Sequence, residues 1–432
     1  MSSSEAPPLS GALNARLSLM MFLQYAIWGA WMPILYPFLL GHRGFSLKQC
    51  GLCLSAGAVG AIVGPFLAGQ FADRKFATER FLGFSHLAGA GLVWMLSETA
   101  SFEGFLILSL VYGLVYAPTL ALTNSLSFAH LPDRDRDFGR VRLWGTIGWI
   151  AAGIAVGQWL LHEHTLVDAS DGDIKAALDA GRADAFRLSA LLGVVMGLFC
   201  FTLPHTPPSS EAKERNATFE ALGEVRYQPL LTLFLIAVPV SCIHQFYFVY
   251  TADFLTELGQ GSTGWIDRIF GVGGGGLMTI GQMSEILVLG LIPLVARQTS
   301  RKTLLAVGLA AYAGRMALFA YFESYAAILS GLALHGLCFG CFIFVAFMVV
   351  DEETSPDVRA SAQNLFNLVI VGIGIIVGSY LATAVVGAWA TGPDKVMDYT
   401  KLFSVPMYAS LACLAVLLLL YPSRSPRRGE LA

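Results

Sequence analysis

The chain has 432 residues, of which 55% are hydrophobic and 13% charged, with a mean hydropathy of +0.63 and a formal net charge of −3. Soluble domains carry about 25% charged residues, so this composition excludes one and points to helices in a lipid bilayer. A near-neutral charge with no basic stripe among aromatics excludes a nucleic-acid partner.

The apolar runs predict twelve spans, near 17–40, 50–72, 81–99, 104–128, 141–161, 185–204, 229–255, 274–296, 303–322, 326–350, 361–389 and 401–421. The first is too long for a signal-peptide core and reads as a retained span. The Asp-rich stretch 162–184 is expected to be a polar loop. Residues 205–228 read as a flexible cytoplasmic linker, dividing the chain into an N-terminal half (1–204) and a C-terminal half (229–432) with a short basic tail. Lys and Arg concentrate on the side of the N-terminus, including Arg424, Arg427 and Arg428, which places both termini in the cytoplasm. The two C-x-x-C pairs, Cys50/Cys53 and Cys338/Cys341, lie in or beside spans without nearby His or Asp, so they read as small apolar residues and not as a metal or redox centre.

Several spans carry polar side chains that need a polar lining. In the first, Gln24, Trp28 and Trp31 fall at i, i+4, i+7 on one face. Trp31 is open to a second account, as part of the interfacial aromatic belt. After the second span, Gly69-Gln-Phe-Ala72-Asp73-Arg74-Lys75 resembles the G-x-x-x-D-[RK] signature of the major facilitator superfamily, where this loop latches the two halves; Gly69, Asp73 and Arg74 are the candidate latch residues. The fourth span holds Pro118, which is expected to bend the helix, Thr119 and Ser125, whose hydroxyls suit helix packing, and Asn124, whose role is open. In the fifth, Arg142, Thr146 and Trp149 share a face while Gly145 and Gly148 offer another for close packing; Arg142 either faces inward or snorkels to the surface. The seventh is dense in aromatics, with Gln245 and Phe248 on one face. The eighth carries Gln282 and Glu285 three residues apart, hence on one face, and a carboxylate at that depth costs about 2.5–3.5 kcal/mol. Arg315 in the ninth span either pairs with Glu285 or leaves it to work alone. His335 and Phe339 lie at i, i+4 in the tenth.

The halves also echo each other, His130-Leu-Pro132-Asp133 before the fifth span and Thr354-Ser-Pro356-Asp357 before the eleventh. Internal repeats with a mid-membrane site characterise alternating-access transporters.

Taken together, Phe22-Leu-Gln24 with Trp28-Gly29-Ala30-Trp31, Tyr116-Ala-Pro118-Thr119-Leu120, Arg142-Leu-Trp144-Gly145-Thr146-Ile147-Gly148, Gln282-Met-Ser284-Glu285, Arg315 with Ala317-Leu318-Phe319-Ala320-Tyr321, and Ser355-Pro356 with Arg359-Ala360-Ser361-Ala362-Gln363 resemble the nucleoside–proton symporters of the major facilitator superfamily, over about residues 17–421. The resemblance implies an all-α fold of twelve transmembrane helices in two six-helix bundles related by a pseudo-two-fold. It implies a nucleoside held between the halves, with contacts on Arg142, Thr146, Trp149, Gln245, Gln282 and Glu285, and Phe339 as a wall. Gln24, Trp28, Phe248 and His335 join the candidate set from the residue-level reading. The sequence departs from the family pattern where His335 and Gly340 replace a Tyr and an Asp, and where Phe248 replaces an Asn.

The resulting expectation is an inner-membrane monomer, no enzyme, importing nucleosides with protons through Glu285 and using no prosthetic group or metal. The alternatives are a transporter of another small polar solute, such as a sugar or glycoside, and a non-transporting nucleoside receptor.

Overall fold

The computed structural model describes residues 7–67, 76–165, 171–207, 223–258, 264–355 and 358–422. The candidate latch Gly69, Asp73 and Arg74 and the basic tail lie outside them. The long helices are α1 (Gly11–His42, its last turns 3-10 and π), α2 (Leu47–Leu67), α3 (Thr78–Glu98), α4 (Phe102–His130), α5 (Arg134–Glu163), α6 (Asp171–Cys200), α7 (Leu230–Leu258), α8 (Gly275–Val295), α9 (Arg301–Tyr321), α10 (Tyr325–Glu353), α11 (Ser361–Ala390) and α12 (Tyr399–Leu420). All but α3 are long and apolar enough by themselves to cross a membrane, and α3 has the length, at 21 residues. Helices dominate because a bilayer offers no water to backbone N–H and C=O groups, which must therefore bond within their own segment.

Helix starts are written in the sequence. Ser10, Asp133, Ser300, Ser324 and Asp398 each accept a hydrogen bond from the backbone N–H three residues on, capping α1, α5, α9, α10 and α12. Asp133 belongs to one of the two echoed loop motifs. π turns interrupt α1, α10 and α11, and that in α10, Cys338–Phe344, carries Phe339 and Gly340.

One expectation is corrected. The stretch 162–184 is not a loop throughout: α6 begins at Asp171 and runs 30 residues. Its charges pair along the helix, Asp179 with Arg182 and Asp184 with Arg187 at i, i+3, and Ala176, Ala177, Ala180 and Ala183 are strong helix formers.

Contacts divide the chain into two units, one of Met1–Phe45, Val59–Ala212 and Ala252–Thr279, the other of Ser46–Ala58, Lys213–Thr251 and Ile280–Ala432. In the first, α1 and α5 lie against each other backbone to backbone. A Cβ at Gly148 would stand 2.1 Å from the Phe22 carbonyl oxygen, and one at Gly29 would stand 2.8 Å from Trp149 Cα. Ala26, Ala30, Ile34, Ala152, Val156, Leu160, Leu178 and Ala185 fill the core beside that seam. The start of α8 packs on α5, where a Cβ at Gly153 would meet Thr279, and on the short helix Gly264–Phe270, where one at Gly276 would meet the Phe270 carbonyl. In the second unit the start of α2 packs on α11, where a Cβ at Gly51 would meet Thr383 Oγ1 and Ser55 Oγ donates to the Ile376 carbonyl at 3.0 Å. These glycines serve the role small residues have in membrane helices, where close backbone approach replaces a hydrophobic drive.

Two substitutions separate this packing from helix propensity. Gly148→Ala should destabilise the detergent-purified protein by about 1–3 kcal/mol, read as a fall in thermal midpoint, because the obstructing atom is backbone and cannot swing away. Gly91→Ala, where nothing lies within 4 Å, should leave the midpoint unchanged or slightly higher.

Candidate functional site

The candidate residues fall into two clusters, one in each unit. In the first, Arg142 of α5 is half-buried and its guanidinium carbon sits 4.0 Å above the Tyr25 ring of α1. A guanidinium over an aromatic face is held by the ring quadrupole, which ties Arg142 of α5 to α1. Trp149, two turns on, meets Trp28 edge to face at 5.6 Å, and Trp28 in turn tilts against Tyr116 at 6.3 Å. Thr146 lies between Arg142 and Trp149 on the same α5 face, half-buried.

Gln24 is 0% exposed and both ends of its amide are engaged. Its Nε2 donates to Thr119 Oγ1 at 2.9 Å, and its Oε1 lies 2.9 Å from His86 Nε2, which must therefore carry the proton. Tyr116 donates to the Gln24 backbone carbonyl at 2.5 Å. His86 gave no signal in the sequence reading, because it shares neither a motif nor a span with its partner. Trp31 is buried against Tyr112 and Phe186, which removes it from the interfacial belt. Asn124 is half-buried, and its Oδ1 is buried without a hydrogen-bond partner among the described residues.

The second cluster gathers around His335. Gly281 and Gly336 let α8 and α10 approach: a Cβ at Gly281 would lie 3.0 Å from His335 Cβ, and one at Gly336 would lie 2.4 Å from Ser284 Oγ. That approach brings Glu285 Oε2 to 3.7 Å from His335 Nε2. On the other side Arg315 Nη1 donates to His335 Nδ1 at 3.0 Å. His335 thus stands between Arg315 and Glu285, the two groups considered as a direct pair from the sequence. Arg315 is 0% exposed, its guanidinium 4.2 Å from the Tyr247 ring and 5.1 Å from that of Tyr312. Such desolvated cation–π contacts are worth about 2 kcal/mol or more, which offsets part of the cost of burying the charge.

Tyr247 stacks on His335 at 4.9 Å, and His244, bonded to the Tyr312 hydroxyl at 2.7 Å, lies 5.4 Å from the same imidazole. Phe248 stands edge-on to His335 at 6.0 Å. Gln282 is buried, with Oε1 lacking a hydrogen-bond partner among the described residues. Gln245, 2% exposed, donates to Ser379 Oγ of α11 at 2.9 Å. Phe339 is half-buried on the π turn of α10. At Gly340 a Cβ would meet Val288 Cγ1 at 2.6 Å, so valine occupies the space into which an acid at this position would extend.

The fold matches that of the solved nucleoside transporter NupG, with a TM-score of 0.80 at 23% identity over 94% of this chain and 98% of that one. The fold is thus that of a solved membrane transporter. Among curated relatives it is 36% identical over 378 residues to the putative nucleoside transporter YegT of Escherichia coli K12, covering 84% of this chain and 82% of that protein. It is 26% identical over 407 residues to the xanthosine permease of the same strain, covering 91% and 92%. The nucleoside H+ symporter family profile matches residues 12–426, and the chain belongs to that family. It is a multi-pass membrane protein that transports nucleosides, in a family named for proton symport.

The Gln24 network gives a stability test. Gln24→Leu leaves the buried His86 and Thr119 side chains without their shared partner and should cost about 1–3 kcal/mol in thermal unfolding of the purified protein.

Proposed function

We propose that this chain imports nucleosides across the cytoplasmic membrane in symport with protons, with Glu285 as the coupling carboxylate. The observation that carries the reading is the placement of Glu285 on the same helix face as Gln282, beside a histidine and a buried arginine. A carboxylate at that depth can exchange its proton when water reaches it, which is the behaviour coupling requires. Protons are the coupling ion, with no prosthetic group involved.

Substrate contacts are assigned to Arg142, Thr146 and Trp149 on α5 with Trp28 on α1, and to Gln282, Glu285, Phe248 and Phe339 in the second cluster, with His335 enclosed behind Glu285. Nucleosides present a flat base for aromatic stacking and hydroxyl and edge groups for donors and acceptors, matching these side-chain types. Gln24 and Gln245 are assigned supporting roles, since Gln24 ties α1 to α3 and α4 and Gln245 ties α7 to α11. The moving bodies are proposed to be residues 1–204 and 229–432, rocking as a monomer by alternating access about the 205–228 linker. The ends of that linker are anchored: Glu79 of α3 accepts from the Thr206 N–H at 3.0 Å, and Glu224 accepts from Ser355 Oγ, within one of the echoed motifs, at 2.6 Å. The charge bias supports cytoplasmic termini. The Gly51 and Gly276 contacts then lie toward the external side, where they hold the helix ends together.

In proteoliposomes with an imposed pH gradient, Glu285→Gln should lose uphill uptake of labelled uridine or adenosine yet retain exchange at equal pH. Full gradient-driven accumulation by that variant would sink the coupling role. Trp149→Ala should weaken nucleoside affinity roughly 2- to 10-fold, the worth of one aromatic stacking contact, as read by binding calorimetry. An unchanged affinity would move the stacking surface to Phe248 or Phe339.

A further inference from the structure

We infer that His335 is a positioning residue that sets the pH at which Glu285 releases its proton, by linking the carboxylate to the buried Arg315 guanidinium. This rests on Glu285 being the coupling carboxylate.

The tautomer follows from the donors. An arginine has only N–H groups to offer, so the His335 Nδ1 that receives Arg315 Nη1 at 3.0 Å must present its lone pair. The proton of the neutral imidazole is therefore on Nε2, the nitrogen 3.7 Å from Glu285 Oε2. The ring directs its N–H dipole at the carboxylate and is polarised from behind by a cation. An N–H facing a carboxyl group is worth more to the anion than to the acid, so the link through His335 bears on the proton of Glu285. The release step moves one proton from a Glu285 carboxyl oxygen to water; His335 keeps its own proton on Nε2 throughout.

The ring is held for this task. Tyr247 stacks on it from α7 with 24° between planes, His244 flanks it, and Gly281 of α8 abuts its Cβ. The titratable or charged groups around it are Glu285 from α8, His244 and Tyr247 from α7, Tyr312 and Arg315 from α9, and Cys338 on α10 itself. Of these, His244 is engaged by the Tyr312 hydroxyl, while Arg315 binds His335 directly. The sequence departure at this position therefore has a chemical content. A histidine can accept from an arginine on one edge and present a donor on the other, which a phenol ring cannot do across its own width.

The test is gradient-driven uptake of radiolabelled uridine by the full-length protein in proteoliposomes, scanned over the pH of the release side. His335→Phe keeps the stack on Tyr247 but removes both nitrogens, and should move the half-maximal pH alkaline by about one unit, the scale of a lost charge contact. His335→Gln, which keeps one donor and one acceptor, should restore most of that shift. A slower rate with both midpoints in place would show a structural role only and overturn the inference. If His335→Phe does not assemble, Arg315→Met breaks the same link from its other end, and an unshifted midpoint there counts equally against it. Glu285→Gln, run in parallel, separates the two levels. A pH profile that survives in Glu285→Gln overturns the coupling role of Glu285 and this inference with it. A flat profile there, beside an unshifted His335→Phe, overturns the inference alone.

Discussion

A guanidinium with no exposed surface, inside a helix that crosses a membrane, is the constraint to which the second half of the molecule answers. Arg315 has none of its surface open to solvent, and a polar group at that depth must be met by other side chains. The surrounding residues supply what the solvent does not: two tyrosine faces, one imidazole lone pair, and a carboxylate on the far edge of that imidazole. Each of these comes from a different helix, so the charge dictates how α7, α8, α9 and α10 are set around it. The glycines at 281 and 336 are the backbone condition for that arrangement, since a side chain at either would push α8 away from α10.

The first cluster solves a milder problem by a different means. Gln24 is neutral, and its amide is engaged at both ends, by His86 as donor and Thr119 as acceptor. The satisfied network stiffens the α1 wall on which Tyr25 and Trp28 sit, and those rings in turn orient Arg142 and Trp149. Rigid positioning of these two side chains by buried hydrogen bonds a turn away follows the general logic that a side chain is only as precisely held as the shell behind it. The contrast with the second cluster is physical. One is closed by hydrogen bonds that need not change, while the other contains a carboxylate whose charge can.

Much of this was readable in the chain. Long apolar runs separated by charged turns admit few solutions in a bilayer, and the capping residues mark several helix starts directly. The pairing of Gln282 with Glu285, and of Arg142 with Thr146 and Trp149, followed from helical spacing alone. Where the reading fell short, non-local partners or local pairing were the cause. Residues 171–184 looked like a loop because their charge density was counted, whereas the i, i+3 pairing of those charges makes them a helix end. Gln24 looked like a lining residue because nothing in its own span could satisfy it; the partner, His86, lies 62 residues away.

The sequence by itself determined the number and order of the helices, the membrane environment and the family. These depend on hydropathy, spacing and motif order, all of which are properties of short stretches. Only the tertiary structure decided who satisfies whom: that His335 stands between Arg315 and Glu285, that Gln245 is taken by Ser379, and that Val288 fills the space beside Gly340. In a bilayer a buried polar group is costly without a partner, but helical periodicity states only which face a residue is on. Which helix lies against that face, and at what height, is fixed by close packing between segments remote in the chain.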